Sequence, residues 1–425
     1  MSALPPGPRL PRAVQTAAWI TRPAPYLARA LARFGDVFTI RIGGEPPWVM
    51  LAHPDAVKEV FTGDPAVMHA GKANLVLRPL VGHASVLLLD GPRHMAQRKL
   101  MLPSFHGSRM AGYEGLVRRI AAEHVAGWPR GAAVPLAPRM QAITLDVVLR
   151  VIFGVEERSE RLAPLRGRLR DMLGRVFSGG AMLAMAGIGP RNVERARLFE
   201  RWLRPVDALL QEQIEERRRA PGNDVLSLLL AARHGDGSPM SDRELRDELV
   251  TLLVAGHETT ATALAWTVER LVRTPGGWEA LRAGGEPYAE AAAKEALRLR
   301  PVLPVVLRNL QAPARVAGLD LPAGTVVAPS ILLVHRRPEL YPDPAAFRPE
   351  RFLGPEPQGG TYTWIPFGGG VRRCLGAAFA LMELRVVLAE LAARAAAAPA
   401  RPEREPTARR AITLIPGRGA EVVLS

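Results

Sequence analysis

The alternation of apolar and polar positions first resolves near the N-terminus. Residues 37–42 and 48–51 are short β-prone runs around Gly43, Gly44, Pro46 and Pro47, which predicts a hairpin. The period then lengthens. Residues 158–177 and 192–219 are amphipathic at helical spacing and flank a glycine- and methionine-rich apolar stretch, 178–190, which reads as a lid or as a loop packed on the core. Ser241 and Glu244 form a capping box, and the helix they open is predicted to run unbroken to Thr274, where Pro275, Gly276 and Gly277 stop it. Leu245, Leu249, Leu252, Leu253 and Gly256 continue one apolar face of that helix. His257, Glu258, Thr259, Thr260 and Thr262 interrupt it with polar groups that need a reason to be there.

Further along, residues 289–300 predict a shorter helix ended by Pro301, followed by a strand-like run, 302–307. Strand and turn signals occupy 316–334, a proline- and glycine-rich meander covers 338–370, and a helix over 375–395 precedes a closing hairpin, 412–424. No internal repeat is evident.

Composition narrows the class. With 425 residues, 48% of them hydrophobic, and no long linker, the chain reads as one domain with a core large enough to wrap a cofactor. Its single cysteine excludes an internal disulfide, so that thiol is either inert core or chemistry. The net charge of +15 raises a basic nucleic-acid-binding protein as an alternative. Arginine, however, is spread beside acids, as in Arg217 to Arg219 after Glu215 and Glu216, and lysine is almost absent, which fits a positive face for an acidic protein partner better. Residues 1–10 lack the apolar run of a signal peptide or anchor, and the apolar stretch 249–272 is broken by His257, Glu258 and Glu269; a cytoplasmic protein is expected.

The strongest chemical signal surrounds the cysteine, in the run Phe367-Gly368-Gly369-Gly370-Val371-Arg372-Arg373-Cys374-Leu375-Gly376. A thiol at a helix start gains thiolate character from the dipole and free amides, and glycines let the backbone approach a bulky planar ligand. A phosphate-binding loop is disfavoured because no Lys-Ser or Lys-Thr follows and no Gly-x-Gly-x-x-Gly is completed. Glu295 and Arg298 lie three apart on one helical face, and a second basic segment, Phe347-Arg348-Pro349-Glu350-Arg351-Phe352, lies downstream. In the long helix, Ala255-Gly256-His257-Glu258-Thr259-Thr260 sets an acid beside a hydroxyl, a pair suited to relaying protons. A zinc-protease reading of His257-Glu258 fails because position 261 is Ala.

Read as Phe-x-x-Gly-x-Arg-x-Cys-x-Gly, the cysteine run resembles the haem-binding loop of the cytochrome P450 family; the resemblance extends from about Pro5 to the C-terminus, with all three motifs in that family's order. The resemblance implies a mainly α fold with a small β-rich lobe, a triangular helical prism enclosing haem b, with residues 1–425 a single haem domain. It implies Cys374 as iron ligand, Phe367, Gly368 and Gly376 as the loop against the haem, and His94, Arg98, Arg308 and Arg372 as propionate anchors. Glu258 and Thr259 become the catalytic pair, Gly256 the point where their helix can open to make room for oxygen and water, and Glu295, Arg298 and Arg351 a buried structural network. Candidate pocket segments are 75–89, 182–188, 250–255 and 302–307, with Leu87, Leu252, Ala255, Val302, Leu303, Val305 and Ile412 as lining residues. The implied reaction inserts one atom of O2 into a C–H bond of a hydrophobic small molecule that is fatty-acid-like, terpenoid or polyketide. Electrons would come from a ferredoxin with its reductase and NAD(P)H, docking on a patch of Arg93, Lys99 and Arg373 of a monomer with no membrane anchor. The other alternative is a non-catalytic haem carrier or sensor, which needs Cys374 but not the Glu258-Thr259 pair.

Overall fold

A computed structural model of the protein describes residues 4–105, 107, 109–154, 162–176, 193–194, 197, 199–354 and 360–425. The stretch 178–190 and the pocket segment 182–188 therefore lie outside the described residues. The helices are α1 Arg12–Thr21, α2 Pro23–Phe34, α3 Pro54–Thr62, α4 Arg78–Val81, α5 Gly91–Met101, α6 Arg109–Ala126 and α7 Leu136–Phe153. They continue as α8 Leu162–Val176, α9 Glu200–Arg219, α10 Val225–Ala231, α11 Asp242–Arg273, α12 Gly277–Leu299, α13 Ile331–Val334 and α14 Ala377–Arg394.

The axis of the molecule is α11, 32 residues long and opened by the expected capping box: Glu244 N donates to Ser241 Oγ at 3.3 Å, and Ser241 N donates to Glu244 Oε2 at 2.8 Å. It packs against α7, α12 and α14, and burial on nearly every side explains why its apolar stripe is so wide. These helices make the largest core. Two smaller cores lie on opposite faces of a five-stranded sheet, one beneath α1 and α2 and the other beneath α3. That sheet runs β1 (Val37–Ile40), β2 (Trp48–Leu51), β8 (Val326–Pro329), β5 (Arg308–Leu310), β3 (Met68–His69), with β1 and β2 antiparallel as the hairpin predicts. Among the described residues, no helix is long and apolar enough to cross a membrane.

Four expectations change. The helix expected over 289–300 begins earlier: α12 starts at Gly277 and breaks at Gly285, whose φ of 54° interrupts it, after which Pro287 stands in the first turn of the continuation. Residues 302–307 form no strand, because Pro304 has no N–H to donate; a single bridge joins Val305 to Ser330 before the ladder begins at Arg308. The end of the 316–334 strand region coils into α13, where Ser330 Oγ accepts from Leu333 N at 3.3 Å. The closing hairpin is also divided. A tight turn at Ala411 and Ile412 folds β11 (Thr413–Pro416) back onto β10 (Thr407–Arg410). The last strand, β12 (Glu421–Leu424), pairs instead with β4 (Ala133–Pro135) and β9 (Ala397–Pro399), redirected by the turn through Gly419 at φ 82°.

Candidate functional site

Cys374 sits in a loop closed by its own backbone. Gly368 N donates to Ile365 O and Cys374 N to Phe367 O, each at 3.0 Å, while Gly376, the residue before α14, directs its N–H at the Cys374 sulfur. The thiol is exposed, yet protein crowds it on most sides. That crowding pushes the thiol up; the Gly376 amide, Arg373 and Arg98 favour the thiolate. The adjacent glycines have a different duty from the one expected. A Cβ on Gly370 would lie 1.8 Å from Phe61 O, and one on Gly369 would lie 2.1 Å from the Phe61 ring, so these two admit α3 and not a planar ligand. Gly376 alone of the later glycines in this run faces open space.

From α5, the cysteine loop and β5, basic side chains converge. His94 is buried, and burial with Arg372, Arg98 and Arg308 pushes its pKa down to about 3. Burial and Arg372 likewise lower Arg308 to about 10, with its Nη1 donating to Leu307 O at 2.9 Å. Among the described residues, the carboxylate that acts on Arg308 and Arg372 is Asp90, which also accepts Gly71 N at 2.8 Å and Lys72 N at 3.0 Å. Arg372 is thus engaged by Asp90 and by the carbonyls of Val86 and Leu89, an occupation the sequence did not suggest. One buried guanidinium, Arg308, and two half-buried ones, Arg98 and Arg372, around one carboxylate make a site that favours added negative charge.

On α11, the residue expected to open the helix does something else. The backbone stays α-helical through residues 255–260, and a Cβ on Gly256 would lie 3.1 Å from Val148 of α7, so its smallness serves helix packing. Thr144 Oγ1 donates to His257 O at 2.9 Å across the same seam. Ala255 is exposed in the middle of this largely buried helix, and the half-buried Thr259 donates its hydroxyl to Ala255 O at 2.6 Å. Glu258 is only 5% exposed. Burial raises its carboxyl above the usual range against the pull of Arg410, whose Nε lies 3.5 Å from Oε1.

Glu295 and Arg298 are completely buried and bidentate, with Arg298 Nε to Oε2 at 2.7 Å and Nη2 to Oε1 at 2.8 Å; Arg351 Nε is 3.4 Å from Oε1. Arg298 also donates to the carbonyls of His335, Pro344 and Ala346. His335 in turn accepts Ile365 N at 2.8 Å on Nε2, and Ile365 O closes the cysteine loop, so a continuous path of hydrogen bonds joins the network to Cys374.

The scan against protein families matches the cytochrome P450 model over residues 5–284 and 285–408. The chain belongs to the cytochrome P450 family. A Mycobacterium tuberculosis protein provisionally named cytochrome P450 135B1 is 42% identical across 99% of this chain and 91% of its own length. Cytochrome P450 135A1 from the same organism, also provisionally named, is 38% identical across 100% and 95%. Among solved structures, a retinoic-acid-bound cyanobacterial CYP120A1 superposes with a TM-score of 0.85 at 25% identity over the whole of both chains. The haem domain of cytochrome P450DA, at TM-score 0.84 and 23% identity over 100% and 98%, shares the fold.

A cytochrome P450 is an oxidoreductase, a monooxygenase with a haem-iron cofactor that uses O2, redox partners and hydrophobic substrates, and the mainly α prism with small sheets is its fold. The residues of this P450 fit such a group: an accessible thiol beside an amide donor, and three buried or half-buried guanidiniums facing one carboxylate, suit an iron with two carboxylates. The pocket candidates are dispersed. Ala255 and Ile412 are exposed and Leu87 and Leu252 half-buried, whereas Val302 is committed to the main core and Leu303 and Val305 lean on the two smaller ones. A strand would have put Leu303 and Val305 on one face and Val302 on the other; without one, Leu303 and Val305 also part, towards different cores. Arg93, Lys99 and Arg373 are all exposed. Sequence reasoning missed Asp90, Arg410 and the buried Glu248, which accepts Val86 N at 2.7 Å and Gln97 Nε2 at 3.0 Å and so holds the loop that carries Leu87. None of these three lies in a recognisable motif.

Proposed function

We propose that this P450, a single haem domain over residues 1–425, binds haem b through Cys374 and oxidises a C–H bond of a fatty-acid-like, terpenoid or polyketide substrate. The observation that carries this is the accessible Cys374 thiol, supported by the Gly376 amide and set within reach of the charge of Arg98, itself one of the arginines grouped around His94. Bound haem with a thiolate ligand supplies O–O cleavage, because the thiolate pushes electron density towards the iron. Everything else belongs to the chain. His94, Arg98, Arg308 and Arg372 receive the propionates, with Arg372 shared with Asp90. Phe367, Gly368 and Gly376 form the loop behind the thiolate, and Glu295, Arg298 and Arg351 hold that loop in place.

Thr259 presents a hydroxyl already turned to Ala255 O, and Glu258 supplies an ionisable group one residue away, so the pair can pass protons along α11. The exposed apolar surface of Ala255 and Ile412, with Leu87 and Leu252, favours a substrate with few polar groups. A single cysteine, which leaves no disulfide to form, supports work in the cytoplasm. The exposed Arg93, Lys99 and Arg373 supply the positive face for an acidic ferredoxin.

The test is spectral. Reduced, carbon-monoxide-bound protein should show the red-shifted Soret band of a thiolate ligand, and Cys374→Ala should lose it while keeping its helical circular dichroism. Retention of the band in Cys374→Ala would overturn the assignment. A ligand screen read by the low-to-high-spin shift would then rank the substrate classes.

A further inference from the structure

The C-terminal hairpin reaches α11 at the acid of the proton-handling pair. In β10, neighbouring side chains point to opposite faces of the strand. Arg409 lies over the Trp19 ring at 4.5 Å, and Arg410 turns the other way, to Glu258 at 3.5 Å. The hairpin is fixed from its second strand as well: Trp266 Nε1 of α11 donates to Leu414 O at 3.3 Å, and Leu414 N donates to Val302 O at 2.8 Å. These ties place Arg410 independently of its ion pair. Beyond Arg410 comes the turn, where Ala411 has φ 54° and Ile412 is 40% exposed.

We propose that Arg410 is the positioning residue for Glu258: from the hairpin it orients the carboxylate and favours its charged form within α11's buried surroundings. The proposal rests on the reading of Glu258 as a proton-handling group. The charge that faces this acid is Arg410 on β10, which together with Arg170 of α8 also acts on the neighbouring His257, held down to about 4 chiefly by burial. Burial opposes ionisation of Glu258, and Arg410 is the charge that counters it. Since positions 258 and 410 are 152 apart in the sequence, the pairing is purely tertiary.

The experiment follows Glu258 itself in the holoenzyme, through the carboxylic C=O band in infrared difference spectra, assigned by its disappearance in Glu258→Gln. Removing an adjacent guanidinium raises a carboxyl pKa by about one to three pH units. Arg410→Gln should move the Glu258 midpoint up by that much, and the pH profile of product formed per electron should move with it. Arg410→Lys should restore most of both, a rescue that a merely structural arginine would not give. Should Arg410→Gln lose haem, Arg410→Met, which keeps the aliphatic stem packed, makes the same measurement. An unmoved midpoint in a haem-replete variant overturns the proposal. Normal turnover by Glu258→Gln would instead defeat the proton-handling reading, and it leaves the infrared midpoint to decide the role of Arg410.

Discussion

Arg298→Leu tests the physical heart of the cysteine loop's support. The guanidinium makes five hydrogen bonds of 2.7 to 3.0 Å, two to Glu295 and three to the carbonyls of His335, Pro344 and Ala346, and lies 4.9 Å from the centre of the Tyr341 ring. The same pair on a surface helix would contribute about 0.5 kcal/mol. Here both partners are fully buried, so the substitution leaves Glu295 with only Arg351 at 3.4 Å and the Arg348 amide at 2.9 Å. Breaking a buried pair costs about 3 to 5 kcal/mol. Each abandoned carbonyl adds about 1 kcal/mol or more if water cannot reach it. A loss of about 6 kcal/mol is comparable to the whole stability of many domains. The variant should therefore yield little haem-loaded protein, with a denaturant midpoint far below wild type by circular dichroism. Glu295→Leu in the same chain should recover part of the loss, because the buried charge goes with it. A soluble Arg298→Leu with a wild-type midpoint and full haem content would refute the reasoning.

Gly370→Ala should destabilise the loop by more than about 1 kcal/mol, since φ is 63° and the new Cβ meets Phe61 O; a wild-type melting curve would count against it. Burial and Arg298 push His335 down to about 3 from 6.5, so its contribution to stability is present above pH 6.5 and lost as pH falls from there towards 3. The denaturation midpoint should fall with acid over that window, and His335→Gln should flatten that part of the slope. Thr259→Ala should bind haem and ligand normally yet release more hydrogen peroxide and less product per electron; unchanged coupling would remove the hydroxyl from the mechanism. Arg373→Glu with Lys99→Glu should slow reduction by an acidic ferredoxin most at low ionic strength, and a rate insensitive to both charge reversal and salt would displace the docking face.

Local chemistry made much of this protein legible from its chain. The capping box at Ser241, the β1–β2 hairpin and the start of α14 beyond Gly376 depend on neighbours a few residues away, and all appear where the pattern puts them, α14 two residues later than expected. The motif residues likewise lie in short runs whose spacing alone carries the family resemblance. The misplaced elements share one cause, a local signal with more than one solution. Residues 331–334 are apolar enough for a strand, but Ser330 caps them into a helix, and β12 is apolar enough to pair with β11 but finds the edges of β4 and β9.

The sequence by itself determined which side chains were available for chemistry and, through helix and turn signals, how most were presented. Tertiary structure alone decided what each one meets. Gly369 and Gly370 read as clearance for a planar ligand until Phe61 occupies that space, and Gly256 as a place for the helix to open until Val148 packs against it. Glu295 and Arg298 would be an ordinary surface pair at the same spacing; complete burial and three distant carbonyls make them costly to break. Arg410 could not be matched to Glu258 by any local pattern. A side chain's spacing is a property of the chain, but its dielectric surroundings and its partners are set by which distant segments the fold brings against it.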